Sequence, residues 1–165
     1  MKHDAEFTCP SLYTAQMNHK YSNPNTANYL FSLNHTIFAS AYADANASYL
    51  EVSHFSGIPY VFNQAKKQGF AQLASAEDIK LSSEMSCSWA SFAAFGDPSQ
   101  GNGTISDWLV MVNSSSTSKG EYDLQVIGGP GDGIWKIGNA QGSYEDLAIR
   151  CAFWISEEVF TELRI

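Results

Sequence analysis

The chain has 165 residues, 44% apolar and 13% aromatic, with nine Lys and Arg against seventeen Asp and Glu. This length and composition suit one compact domain with a sizeable core and exclude a disordered polar tract. The net charge of −8 and the lack of a basic cluster exclude affinity built on phosphate contacts, so no nucleic-acid partner is expected.

From the N-terminus, Met1-Lys2-His3-Asp4-Ala5-Glu6 is too polar to open a secretory signal, so no signal peptide is expected within this chain. Either the protein is not secreted or its true N-terminus lies upstream. The first helix is expected from Pro10, which suits a first turn, to about Lys20. Asn23-Pro24-Asn25 then marks a turn, and Tyr29 to Phe38 reads as a strand covered on both faces. Ala39 to Ser53 is the connection that follows.

Ser75 and Asp78 form a capping-box start, and Leu81, Met85, Trp89, Phe92 and Phe95 recur at helical spacing until Gly96. That stripe is expected to be core. Trp108 to Val112 is a short apolar run, followed by the serine run Ser114 to Ser118. Strands are expected at Tyr122 to Ile127 and Gly133 to Ile137. The intervening Gly128-Gly129-Pro130-Gly131-Asp132 lacks the Lys-Ser/Thr of a phosphate loop and reads as a hairpin turn. A last helix is expected from about Ser143 to Leu163, with Leu147, Cys151, Ile155 and Val159 on one stripe. No apolar run is long enough to span a bilayer, so no membrane span is expected.

Three cysteines cannot all pair within one chain, so either at least one is free or intermolecular if disulfides form, or all three are buried reduced thiols. Cys87, among small and apolar residues of a helical pattern, reads as a core thiol. Asn34, Asn46, Asn102 and Asn113 each open an Asn-x-Ser/Thr glycosylation sequon.

Four segments, in order, resemble the type B carboxylesterase and lipase family. Asp4-Ala5-Glu6-Phe7-Thr8-Cys9-Pro10 followed by Ala15 is similar to its D-x-x-F-x-C-P segment. His54, Ile58, Tyr60, Val61 and Phe62 fit its histidine segment, H-G-x-E-[IL]-x-[FY]-V-F. The most specific match is Leu81-Ser82-Ser83-Glu84-Met85 through Trp89-Ala90-Ser91-Phe92-Ala93-Ala94-Phe95-Gly96-Asp97-Pro98. Arg150-Cys151-Ala152-Phe153-Trp154 is similar to the closing helix. Two positions depart from the pattern: Phe55 stands where the family has Gly, and Gly57 where it has Glu. Phe restricts φ and ψ where Gly does not, and a carboxylate beside the histidine is lost.

The resemblance implies an α/β chain, the C-terminal part of an α/β-hydrolase fold, made of edge strands of a central sheet and the helices packing them. Residues 1–165 would be one C-terminal fragment of a carboxylesterase type B domain. It implies a disulfide between Cys9 and Cys151, an extracellular location, and His54 as the catalytic base. In that fold the triad runs Ser, acid, His, with the serine on a G-x-S-x-G elbow. No serine here has glycines two before and two after it, and Asp4, Glu6, Asp44 and Glu51, the acids preceding His54, do not resemble the family's acid segment.

Without its flanking matches His54 would read as an ordinary polar loop residue. His3, His19 and His35 lack metal-ligand spacing and read as surface or loop residues, so no metal site and no cofactor is expected. The function implied is carboxylic-ester hydrolysis, on an ester or lipid substrate, by a domain to which this chain supplies the histidine but not the nucleophile; the chain alone is expected to be inactive. The alternative is a non-catalytic truncated paralogue, or an interaction module like the family's adhesion-protein members. No feature specifies an oligomeric state.

Overall fold

A computed structural model describes residues 4–21, 27–112, 121–138 and 144–163. His3, Asn113, the Asn23-Pro24-Asn25 turn, the serine run and Ser143 lie outside these residues. The helices are α1 (Cys9–Tyr21), α2 (Ala39–Asp44), α3 (Ile58–Val61), α4 (Ala76–Phe95), α5 (Leu147–Trp154) and α6 (Glu157–Leu163). The strands are β1 (Phe31–Leu33), β2 (Tyr122–Ile127) and β3 (Gly133–Ile137), in one sheet ordered β1-β2-β3.

The sheet is mixed. Gln125 N donates to Leu30 O at 3.0 Å and Asn34 N to Ile127 O at 2.9 Å, so pairing partners advance together along β1 and β2, the parallel pattern. β2 and β3 are an antiparallel hairpin. Gly128 and Gly129, at φ of 71° and 68°, make its turn. A Cβ on Gly129 would lie 2.2 Å from the carbonyl oxygen of Asn34, so only glycine fits that close approach.

The chain divides into two compact units. In the unit formed by residues 1–31, 109–125 and 133–165, a π-helical turn at Asp4–Thr8 leads into α1. Cys9 and Cys151 are joined by a disulfide, with Cα atoms 5.1 Å apart. Arg150 donates from Nε to Asp4 Oδ2 at 3.1 Å and from Nη2 to Oδ1 at 3.4 Å. Leu12, Met111, Leu124, Ile137 and Leu147 are buried with the disulfide. On the chain-entropy account, a crosslink between residues 142 apart in sequence stabilises by up to about 5 kcal/mol.

The other unit, residues 32–108 and 126–132, buries Ile37, Tyr60, Ala65, Leu81, Met85 and Trp108. Its longest element, α4, follows the local signals closely. Ser75 Oγ accepts from Asp78 N while Asp78 accepts from Ser75 N, and Gly96 at φ 75° ends the helix. The expected apolar stripe is corrected in its second half: Phe92 and Phe95 are 47% and 65% exposed. The buried face instead runs through Asp78, Leu81, Ser82, Met85, Ser88 and Ser91. Its hydroxyls serve neighbouring backbone: Ser88 Oγ accepts from Ile105 N at 2.9 Å, and Ser91 Oγ donates to Asp97 O at 2.6 Å.

Two further expectations are corrected. The strand from Tyr29 to Phe38 shortens to Phe31–Leu33, because the chain turns away after the Asn34 bond; Phe38 N bonds to Thr36 Oγ1 at 3.2 Å and α2 begins. The terminal helix breaks into α5 and α6 at Ile155 and Ser156. There Ser156 Oγ accepts from Val159 N at 3.4 Å, so a serine starts a new helix instead of continuing the old one.

Candidate active site: the histidine loop

His54 is exposed, on a turn between the 3-10 helix Ser48–Leu50 and α3. Its ring lies 4.2 Å from that of Phe55, centroid to centroid. Of the six non-glycine residues at positive φ among the described residues, four lie between Asn46 and Asn63: Asn46, Glu51, Phe55 and Asn63. Asn adopts this region readily. Phe55, at φ 71°, does not, and the conformation costs roughly 1–2 kcal/mol. The position where the family pattern has Gly is thus one where the backbone requires what Gly supplies. Gly57, by contrast, sits at an ordinary φ of −76°, and a Cβ there would meet only Leu33 Cδ2 at 3.7 Å.

Behind the loop, α3 is fastened to α4. Tyr60, fully buried, donates its hydroxyl to Asp78 Oδ1 at 2.5 Å. His35 Nε2 bonds to the same oxygen at 3.0 Å, and Ser75 donates to Oδ2 from its hydroxyl at 2.6 Å and its amide at 2.8 Å. Ser82 Oγ donates to Pro59 O at 3.1 Å. Burial alone would raise the Asp78 carboxyl, but the Ser75 hydroxyl, the Tyr60 hydroxyl, the Ser75 amide and His35 together hold it below its ordinary value. Burial first, and then the bond to Asp78, push the Tyr60 phenol well above its ordinary range.

This cluster is what sequence reasoning missed. His35 reads there as a surface or loop residue, yet its side chain is 23% exposed and paired with Asp78. The capping box pointed to Asp78, but only as a helix start. Its pairing with a residue 43 positions away leaves no periodic trace in the sequence.

Among the other singled-out residues, Cys87 is a half-buried free thiol on α4. Asn46 and Asn102 are exposed, whereas the Asn34 amide donates to Pro130 O at 2.7 Å. Among the described residues no group of three His, Cys, Asp or Glu side chains is arranged to hold a metal ion, and no helix is long and apolar enough to cross a membrane.

The carboxylesterase family model matches residues 1–126. Over 95 residues the chain is 36% identical to the inactive carboxylesterase-like protein VdtD of Byssochlamys spectabilis, covering 58% of this chain and 16% of that protein. The chain thus spans a small part of the length of the curated relative it matches.

Proposed function

The chain belongs to the carboxylesterase family, and from that premise we propose that residues 1–165 are the C-terminal part of a type B carboxylic-ester hydrolase domain, with His54 in the place of the triad histidine. The observation that carries this reading is the placement of His54: an exposed imidazole on a turn whose following helix is fastened to α4 by Tyr60, Asp78 and Ser82. A catalytic base needs its ring open to the substrate and its backbone held.

The chemistry follows from what an ester requires. A serine oxygen from the upstream part of the domain attacks the carbonyl as His54 takes its proton, and backbone N–H groups stabilise the oxyanion. His54 then protonates the departing alcohol, and water repeats the cycle. On this reading the substrate is an ester or lipid, no metal or organic cofactor takes part, and the isolated chain is inert. The Cys9–Cys151 disulfide supports an oxidising, extracellular setting, in which Asn46 and Asn102 would be the sequons open to glycosylation.

A second reading, a non-catalytic member of the family, is favoured by Phe55 at φ 71° and by the inactive relative. The two separate in a chimera. Joining this chain to the upstream part of an active type B carboxylesterase, with nucleophile elbow and acid, should give ester turnover that is lost in His54→Ala. Turnover equal in the two forms would refute the assignment of His54, and a folded chimera without turnover would establish the non-catalytic reading.

A further inference from the structure

We propose that the hydroxyls of Thr36, Tyr42, Ser53 and Ser56 are positioning residues that hold the His54 turn, and with it the imidazole, in one conformation. The turn needs such a device. Phe55 sits in the left-handed region, and both it, 68% exposed, and His54 are exposed. What the turn does bury is Ser56, 1% exposed.

The four hydroxyls form a chain around the histidine. Thr36 Oγ1 donates to Ser56 Oγ at 3.2 Å. Ser56 Oγ lies 3.4 Å from Ser53 Oγ, which lies 2.6 Å from the Tyr42 hydroxyl and 3.4 Å from the His54 carbonyl oxygen as donor. The protons are consistent in one direction: Thr36 gives to Ser56, Ser56 and Tyr42 to Ser53, and Ser53 to the backbone of His54 itself. Each hydroxyl then donates once, and both lone pairs of Ser53 are used. Ser56 N donates to Ser53 O at 3.1 Å, closing the turn on the same two serines.

The anchors sit on one short stretch. Thr36 Oγ1 accepts from Phe38 N at 3.2 Å just before α2, and Tyr42 lies on α2. The turn is therefore tied at Ser53, directly before His54, and at Ser56, directly after Phe55, to a segment near it in space and outside it in sequence. Hydroxyls suit this work because, unlike a carboxylate, they hold the backbone without placing a charge beside the imidazole.

The proposal rests on the reading of His54 as a triad base, but its test needs no substrate, so the two can fail separately. In the 165-residue chain with 13C-labelled histidine, the His54 imidazole signal, assigned by its loss in His54→Ala, should be a single sharp resonance. Thr36→Val with Tyr42→Phe removes two hydroxyls while keeping shape. In that variant the His54 signal should broaden or split, while the His35 signal, held by Asp78, stays in place and reports that the fold persists. Thr36→Ser should keep the single His54 signal.

Should the double variant lose the His35 signal as well, Tyr42→Phe alone supplies the same reading from the loss of a single hydroxyl at a half-buried residue. An unaltered His54 signal in a folded Tyr42→Phe or double variant would overturn the proposal, as would equal broadening in Thr36→Ser. In an active chimera, Tyr42→Phe should lower kcat about tenfold with KM nearly unchanged, the split expected when a base is misplaced and binding is not.

Discussion

Helix α4 and the turn carrying His54 each hold a residue in the left-handed region, Gly96 at φ 75° and Phe55 at φ 71°. At the helix the residue suits the conformation: glycine has no Cβ to clash, and the cap bonds to Phe92 O. At the turn it does not, and the conformation persists because tertiary contacts hold it. One region is stable because every local choice agrees, the other because its surroundings overrule a local preference. The exposed imidazole of His54 sits in the second kind of region, where rigidity has to be supplied from outside the segment.

The largest break in this comparison comes from Asp78, which joins the two regions by capping α4 and accepting from Tyr60 on α3. Asp78→Ala should cost about 3 kcal/mol in urea denaturation at neutral pH, since it removes a cap and leaves a buried phenol without its acceptor. Because the folded carboxyl lies below its ordinary value of 3.8, its contribution is complete above that value and is lost as pH falls through the folded one. Asp78→Asn should therefore flatten the acid limb of stability against pH. An unchanged acid limb would mean that the carboxylate is not stabilised by these partners.

Smaller effects test the two left-handed residues against each other. Gly96→Ala should cost about 1 kcal/mol by backbone strain alone, because a Cβ there meets nothing within 4 Å. Phe55→Gly should move stability the other way, by up to about 1 kcal/mol, when measured by the same denaturation. A loss at Phe55 would show that its side chain, not its backbone, matters to the turn. The smallest effect belongs to Gly57→Glu, which returns the family's carboxylate at an ordinary φ, where a Cβ makes only an ordinary contact with Leu33 Cδ2 at 3.7 Å, and should lie within about 0.5 kcal/mol of the parent.

These contrasts also explain what the sequence made legible. Ser75, Asp78 and Gly96 announce both ends of α4, and the glycine-rich turn announces β2 and β3, because those signals act within a few residues. The end of β1 depends instead on where β2 stops pairing with it. The break at Ser156 depends on one hydroxyl choosing a backbone amide, in a stripe whose spacing alone suggests a continuous helix. In the candidate site, His54 is singled out by the segments around it, which carry the family resemblance. The pairing of His35 with Asp78, and the hydroxyls that meet behind the turn, depend on side chains brought together by folding and have no counterpart in local pattern. The Phe55 departure lay between these cases: the sequence marked an unusual residue, and the backbone angle explains what it costs.

The central claim, that this chain carries the histidine of an ester hydrolase without its nucleophile, is tested most directly by assaying the purified 165-residue chain with a short-chain nitrophenyl ester and a serine-directed fluorophosphonate probe, beside His54→Ala. The account predicts no turnover above background in either form and no labelled serine. Turnover that disappears in His54→Ala, together with a labelled serine in this chain, would contradict it.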